Sequence, residues 1–534
     1  YNTLYMTKES DTESRSIIKS SSHFGITTLI SRISGFVRDI LFANYFGASS
    51  STDAFFVAFK IPNFFRRLFA EGAFSQAFVP VLQEYRLNKS HLLSEFIQNI
   101  LGNLFVVLLI ITLLGMYFST ELTYIFAPGF ADDNAKLNLT SEMLFVTFPY
   151  LLFISLTAMC AGIFNSYDRF ILSGITPVFL NLSLIVFTIF SSSLFVIPVI
   201  SLSYGVLVAG IVQLLIQLPL MYKLGFLKIP KINFSNHGSI KVIKLMGPAI
   251  IGTAAVQINL LIDTIVASLL VTGSISWLYF SDRLIELPLA VFGIAISIVM
   301  LPVLSEHFQK KESGLYSSTL SKSIKLSMLI AIPSMVGLII LSSSIISTLF
   351  MYGNFDLLDV NMTVLSLITY SLGLPAFIFL KILVTAFYSR QDTKTPVIYS
   401  LIGISINIIF NLTVLYFYLK SPFQGAHALI ALATSLSAWV QVLLMNYKLR
   451  SIGIIRENLF FNQSSFKIIS ATSFMFLVLF FYGNILPFDY DTSIYERASY
   501  LITNILVGAI IYFISLALLG CLLYTSDAAD EVDR

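Results

Sequence analysis

Eleven charged residues stand inside long apolar stretches of this chain, and they are the side chains best able to do chemistry. The first stretch holds Arg32, Arg38 and Asp39; the second holds Asp53, Lys60, Arg66, Arg67 and Glu71; a later one holds Asp282, Arg283 and Glu286. A charge at the centre of a bilayer costs roughly 2.5–3.5 kcal/mol, so each must face a polar cavity or find a counter-ion. At 100° per residue Arg32 and Asp39 share one helix face, and Asp53, Lys60 and Arg67 share another. Arg38 and Arg66 fall off those stripes and are expected to be freer to meet a ligand. Arg283 and Glu286, three apart, are placed to pair locally. Several arginines around one cavity want an anion, and a diphosphate offers oxygens enough for several planar forks. The plainer alternative is that these charges are structural ion pairs.

The elements that carry these charges must cross a membrane. Of 534 residues, 56% are hydrophobic and 11% charged, with mean hydropathy +0.85. A soluble globular chain has about 25% charged residues, so a water-soluble enzyme is excluded. The 48 phenylalanines suit lipid-facing helices. Apolar runs long enough to span a bilayer predict fourteen helices: 24–47, 53–79, 96–118, 141–165, 170–191, 195–222, 243–271, 277–303, 322–349, 361–388, 395–418, 424–449, 466–486 and 498–523. With that division the N-terminal segment and even loops collect 21 Lys and Arg, against only Lys136, Lys420 and Arg497 in the odd loops. By the positive-inside rule both termini face the cytoplasm. Met6 is a candidate start, and the acidic 525–534 stretch a candidate scar; neither enters the functional reading.

The chain also resembles itself. Pro80-Val81-Leu82 with Glu84 recurs as Pro302-Val303-Leu304 with Glu306, Asp39 as Asp263, Phe164-x-Ser166 as Phe387-x-Ser389, and Thr176-Pro177-Val178 as Thr395-Pro396-Val397. The offsets cluster near 223. The fold class that follows is an all-α polytopic membrane protein with two parallel six-helix lobes. After a polar segment, 1–22, the N-lobe is 23–222 and the C-lobe 223–450. Helices 13 and 14, within 451–524, form an appended pair. A substrate would sit between the lobes near the midplane.

The specific strings are Ser31-Arg32-x-x-Gly35-Phe36-x-Arg38-Asp39, Thr52-Asp53-Ala54-Phe55-Phe56-Val57-Ala58-Phe59-Lys60-x-Pro62-Asn63, Arg66-Arg67-x-Phe69-Ala70-Glu71-Gly72, and Ser276-Trp277-x-Tyr279-x-x-Asp282-Arg283-Leu284-x-Glu286-x-Pro288. From about Ser20 to Leu523 the chain resembles the MurJ (MviN) family of lipid II flippases, in the multidrug/oligosaccharidyl-lipid/polysaccharide exporter superfamily. The resemblance implies a transporter of the bacterial inner membrane. It would move undecaprenyl-diphosphate-linked disaccharide-pentapeptide from the cytoplasmic to the periplasmic leaflet by alternating access. It places the substrate-binding arginines at Arg32, Arg38, Arg66 and Arg283, with Asp39 and Asp53 among the acidic positions. It also implies a sodium site at Asp263, Asn407 and Asn411, where Asn411 stands in place of an expected acid, a departure that weakens the sodium expectation. No other cofactor is implied, and a monomer suffices.

Three alternative functions differ in what they would require of these residues. A flippase for another polyprenyl-linked glycan differs only in the motif block. A drug or cation antiporter of the same superfamily would need acids facing its cargo, whereas this cluster is cation-rich. A membrane enzyme on polyprenyl phosphates would need clustered acids for a metal. The one adjacent acidic loop pair, Asp132-Asp133, reads as a solvated loop, and the five histidines have no ligand spacing. Cys160 and Cys521 form no framework. No P-loop is present, and a net charge of +3 says nothing about nucleic acid; with no soluble basic domain to bind it, no nucleic-acid partner is expected.

Overall fold

The computed structural model describes residues 27, 29–68, 74–167, 169–455, 459–460, 462–485 and 488–520. The polar segment 1–22, Glu71 and the tail 525–534 lie outside the described residues. All regular structure among the described residues is helical, as the hydropathy requires. The chain folds into two compact units, Tyr1–Leu269 and Leu270–Arg534. The repeat places the lobe boundary at 222/223; packing places it at 269/270, because the helix between those positions packs within the first unit.

In the first unit the helices are α1 (29–46), α2 (Ser50–Phe65), α3 (Ser75–Asn88), α4 (Ser90–Tyr117), α5 (Ser119–Phe126), α6 (Asn134–Thr147), α7 (Tyr150–Ser166), α8 (Phe170–Ile189), α9 (Ser191–Leu194), α10 (Ile200–Leu215), α11 (Leu218–Lys223) and α12 (His237–Ser268). Side-chain oxygens start several of them by accepting an otherwise orphaned backbone N–H. Ser49 accepts from Thr52 N, Asp133 from Lys136 N, and Asn236 from Gly238 N and Ser239 N. Asp133, exposed like Asp132, is thus a solvated acid that also caps a helix. Phenylalanine fills the interior as well as the rim: Phe74 stacks on Phe78 at 5.0 Å, and Tyr85 on Phe96 at 4.3 Å, all buried. Over both units, all but one of the largest fully buried side chains are phenylalanine. Phenylalanine therefore serves the helix interfaces as well as the lipid-facing surface, since flat rings interlock at high density between helices.

The second unit comprises α13 (Ser274–Pro288), α14 (Ala295–Gln309), α15 (Ser313–Ile340), α16 (Ser342–Phe350), α17 (Leu357–Ser371), α18 (Leu374–Tyr388), α19 (Lys394–Lys420), α20 (Ala426–Ser451), α21 (Gln463–Ile485) and α22 (Ile494–Leu518). The appended pair α21–α22 packs on itself and against α15. Tyr512 Oη on α22 donates to Leu329 O on α15 at 2.7 Å.

The repeat read from short strings is written into the secondary structure. The 28-residue helices α4 and α15 start and end 223 positions apart. Asp356 caps α17 as Asp133 caps α6, again 223 positions apart. A π-turn follows α2 at 66–68 and another follows α13 at Leu289–Ile294. Such a widened turn inserts one extra residue and re-aims the side chains beyond it.

Among the described residues eleven helices or helix pairs are long and apolar enough to cross a membrane. They correspond to expected spans three to six and eight to fourteen. The first two expected spans depart from that pattern for reasons visible in their residues. α1 and α2 carry the charges listed above, and the 53–79 span departs from a regular α-helix after Phe65. α12, His237–Ser268, covers the expected seventh span as one helix of 32 residues, with Gln257–Ser268 an apolar stretch within it.

Candidate functional site

The cation-bearing helices of the first unit are α1 and α2. On α1, Arg38 is 4% exposed and Asp39 1%. Arg38 Nε and Nη2 both donate to Asp39 Oδ1, at 2.9 and 2.7 Å, and Nη1 donates to Asn181 Oδ1 at 2.9 Å. Its guanidinium also lies 5.5 Å from the Phe42 ring centre. Spacing put Arg38 off the acidic stripe, but its long side chain folds back onto its sequence neighbour, which a helical wheel of Cα positions does not capture. Asn181 of α8 completes the knot, donating to Ser31 O and Ser34 Oγ at 3.0 and 2.9 Å. Arg32, on the same helix, is half-buried and has no hydrogen bond or ion pair among the described residues.

On α2, Asp53 is buried and receives Lys136 Nζ of α6 at 3.2 Å. That lysine also lies 4.2 Å from the Phe130 ring centre. Lys60 is half-buried and Arg67 exposed, so the Asp53–Lys60–Arg67 stripe runs from interior to surface. Arg66 opens the π-turn, half-buried, with Nε donating to Asn63 Oδ1 at 3.0 Å. Sequence reading missed Lys136 because it began the fourth span at 141. Its signal was being one of three cations in the otherwise cation-poor loops.

In the second unit α13 carries Arg283, whose Nη1 donates to Glu286 Oε2 at 2.7 Å, the local pair that the spacing predicts. Tyr279 Oη lies 3.4 Å from both Nε and Nη2, with the ring beside the guanidinium. The two side chains are 34% and 45% exposed, and Asp282 beside them is exposed. A second polar cluster went unread. Trp277 Nε1 donates to Asp359 Oδ1 at 2.9 Å, and the Trp277 ring sits 4.9 Å from His427, whose Nε2 lies 2.9 Å from Met362 O.

The sodium expectation meets a poor donor set. Asn411 Nδ2 donates to Asn407 Oδ1 at 2.9 Å, and Asn407 Nδ2 to Thr434 Oγ1 at 3.2 Å. The Asn407 oxygen therefore meets an N–H rather than a cation, and neither residue supplies negative charge. Asp263 is buried in the other unit. Among the described residues no three His, Cys, Asp or Glu side chains group as metal ligands.

Outside the spans, Glu84 at the end of α3 pairs with Lys241 of α12 and with Lys89, the latter at 3.3 Å. The Lys241 hydrogen bond, then that from Lys89, holds its carboxyl below the usual glutamate value.

The family model described as lipid II flippase MurJ matches residues 42–500. The probable lipid II flippase MurJ of Buchnera aphidicola subsp. Schizaphis graminum is 40% identical over 505 residues, covering 94% of this chain and 97% of that one. A solved lipid II flippase MurJ in an inward closed conformation superposes with a TM-score of 0.79 at 29% identity, over 94% of this chain and 99% of its own. An inward-facing multidrug resistance MATE family transporter of the MOP superfamily shares the fold alone, with a TM-score of 0.64 at 13% identity over 81% and 96%.

Proposed function

We propose, starting from the fact that the chain belongs to the MurJ family of lipid II flippases, that it carries lipid II from the cytoplasmic to the periplasmic leaflet of the bacterial inner membrane. It is a multi-pass transporter, not an enzyme. The observation that carries the mechanism is that Arg32, Arg66 and Arg283 are half-buried guanidiniums on largely apolar helices. A diphosphate reaching them would trade water for planar forks in a poorly solvated place, where charge-assisted bonds are strong. Arg38 would act differently, because it must loosen from Asp39 and Asn181 before it can grip phosphate. That exchange gives the protein one arrangement without cargo and another with it, the differential contact that alternating access needs.

The two compact units, divided at 269/270, would be the moving bodies, with 451–524 beside the polyprenyl tail and both termini cytoplasmic. One copy suffices. No sodium step is derived, given the neutral Asn407–Asn411 pair. The empty carrier's excess positive charge would let membrane potential drive the return, at about 2.3 kcal/mol per charge per 100 mV.

The test is rescue of a bacterium depleted of its own lipid II flippase, reading periplasmic accessibility of the precursor. The expected result is restoration by wild type and loss with Arg32→Ala, Arg66→Ala and Arg283→Ala at equal membrane abundance. If wild type is abundant in the membrane and the precursor stays inside, the substrate assignment falls and another polyprenyl-linked glycan replaces it.

A further inference from the structure

The connection between α11 and α12, residues 224–236, is neither helical nor loose. Lys231 N donates to Gln98 O of α4 at 3.1 Å, and Asn103 grips Asn233 twice, donating to its carbonyl and accepting from its N–H, both at 2.8 Å. The approach is close enough that a Cβ on Gly102 would stand 2.2 Å from Lys231 O. Phe226 is buried against Tyr167 at 5.8 Å between ring centres. The backbone is thus fixed at 226, 231 and 233.

What it fixes in place is unusual for a surface facing water. Leu227, Ile232 and Phe234 are exposed, and Ile229, before Pro230, is 86% exposed. Lys223, Lys228, Lys231 and Lys244 are exposed among them, while Lys241 is taken by Glu84. From Arg169 to Ile262 the sequence has no Asp or Glu. A ribbon that alternates lysine with bare aliphatic groups, held out rigidly by hydrogen bonds to a transmembrane helix, matches a layer that is itself anionic outside and apolar just beneath.

We propose that residues 223–244 form a docking surface for anionic phospholipid headgroups. Lys223, Lys228, Lys231 and Lys244 contact the phosphates, and Leu227, Ile229, Ile232 and Phe234 enter the acyl boundary. The surface clamps the α11–α12 connection to one leaflet. It rests on the membrane reading alone and is independent of which cargo is moved.

The experiment uses the full chain in lipid nanodiscs, with a nitroxide on Ile229→Cys in a Cys160→Ala, Cys521→Ala background. Discs contain phosphatidylcholine alone or with phosphatidylglycerol. Collisions with oxygen, which enters lipid, are compared with those of a water-soluble nickel chelate. The label should enter lipid in phosphatidylglycerol discs. It should return toward water in the Lys223→Gln, Lys228→Gln, Lys231→Gln, Lys244→Gln variant and at high salt. Phosphatidylglycerol retained by the detergent-purified protein should fall about fivefold for each lysine removed. A label in water in both discs overturns the surface. A label equally deep in both discs overturns the headgroup contact, as would a signal changed by a soluble protein partner and not by lipid.

Discussion

Lys136 to Met is the sharpest perturbation the first unit offers. Lys136 and Asp53 meet at 3.2 Å with side chains 7% and 2% exposed. At an effective dielectric near 20, the gross attraction at that distance is about 5 kcal/mol. Most of it offsets the cost of removing both ions from water, so the pair's net worth is small. Removing one partner is different: it deprives a buried carboxylate of its ammonium, at up to about 3–5 kcal/mol. For a unit of this size that corresponds to a melting shift on the order of 10 °C. Cys160 supplies the reporter, being buried on α7 in the same unit. In a Cys521→Ala background, a thiol-reactive dye should report its exposure on heating. Lys136→Met and Asp53→Leu should each lower the midpoint strongly, and the double variant should recover most of the loss. Two single effects that simply add, or a Lys136→Met cost under about 1 kcal/mol, would refute the buried pair.

Three further outcomes are expected. Gly102→Ala should lift the 224–236 connection off α4, because the added Cβ meets backbone rather than a flexible side chain. Overpacking of this kind costs about 1–3 kcal/mol, and trypsin cleavage after Lys228 and Lys231 should rise. Glu84 binds its lysines more tightly when ionised, so its contribution is complete above the usual value of 4.5 and fades as pH falls through its lowered pKa. The stability gap between wild type and Glu84→Gln should therefore be present at neutral pH and close in acid; a gap independent of pH counts against the link. Arg497 is buried on α22 and donates to Ser347 O and Met351 O at the end of α16, with Tyr352 beside it. Arg497→Lys should not restore what Arg497→Ala loses, about 1.5–3 kcal/mol, because an ammonium lacks the fork and the stacking face.

The helical class, the existence of most spans and the repeat were legible because hydropathy and punctuation are local. The Arg283–Glu286 pair was legible because helical spacing alone brings it together. Three things were not. Arg38 turns onto Asp39 and Asn181, and that contact joins α1 to a helix more than a hundred residues away. Lys136 finds Asp53 across 83 residues, from a helix that begins earlier than its apolar run. The departure from regular helix after Phe65 lies within an unbroken motif, and nothing in its composition announces a π-turn.

The 223-residue register does not make the two units interchangeable. Lys136 and Asp359 occupy matching places, each three residues after its capping aspartate. In the first unit the cation on the later helix answers a carboxylate on α2; in the second the carboxylate is on the later helix and answers an indole on α13. The joint is the same in both units, but the carboxylate stands on opposite sides of it and the cation of the first has become a neutral N–H donor in the second. The halves share a blueprint but not spare parts: transplanting α6 into the place of α17 would set a lysine against Trp277, and the reverse exchange would set Asp359 against Asp53.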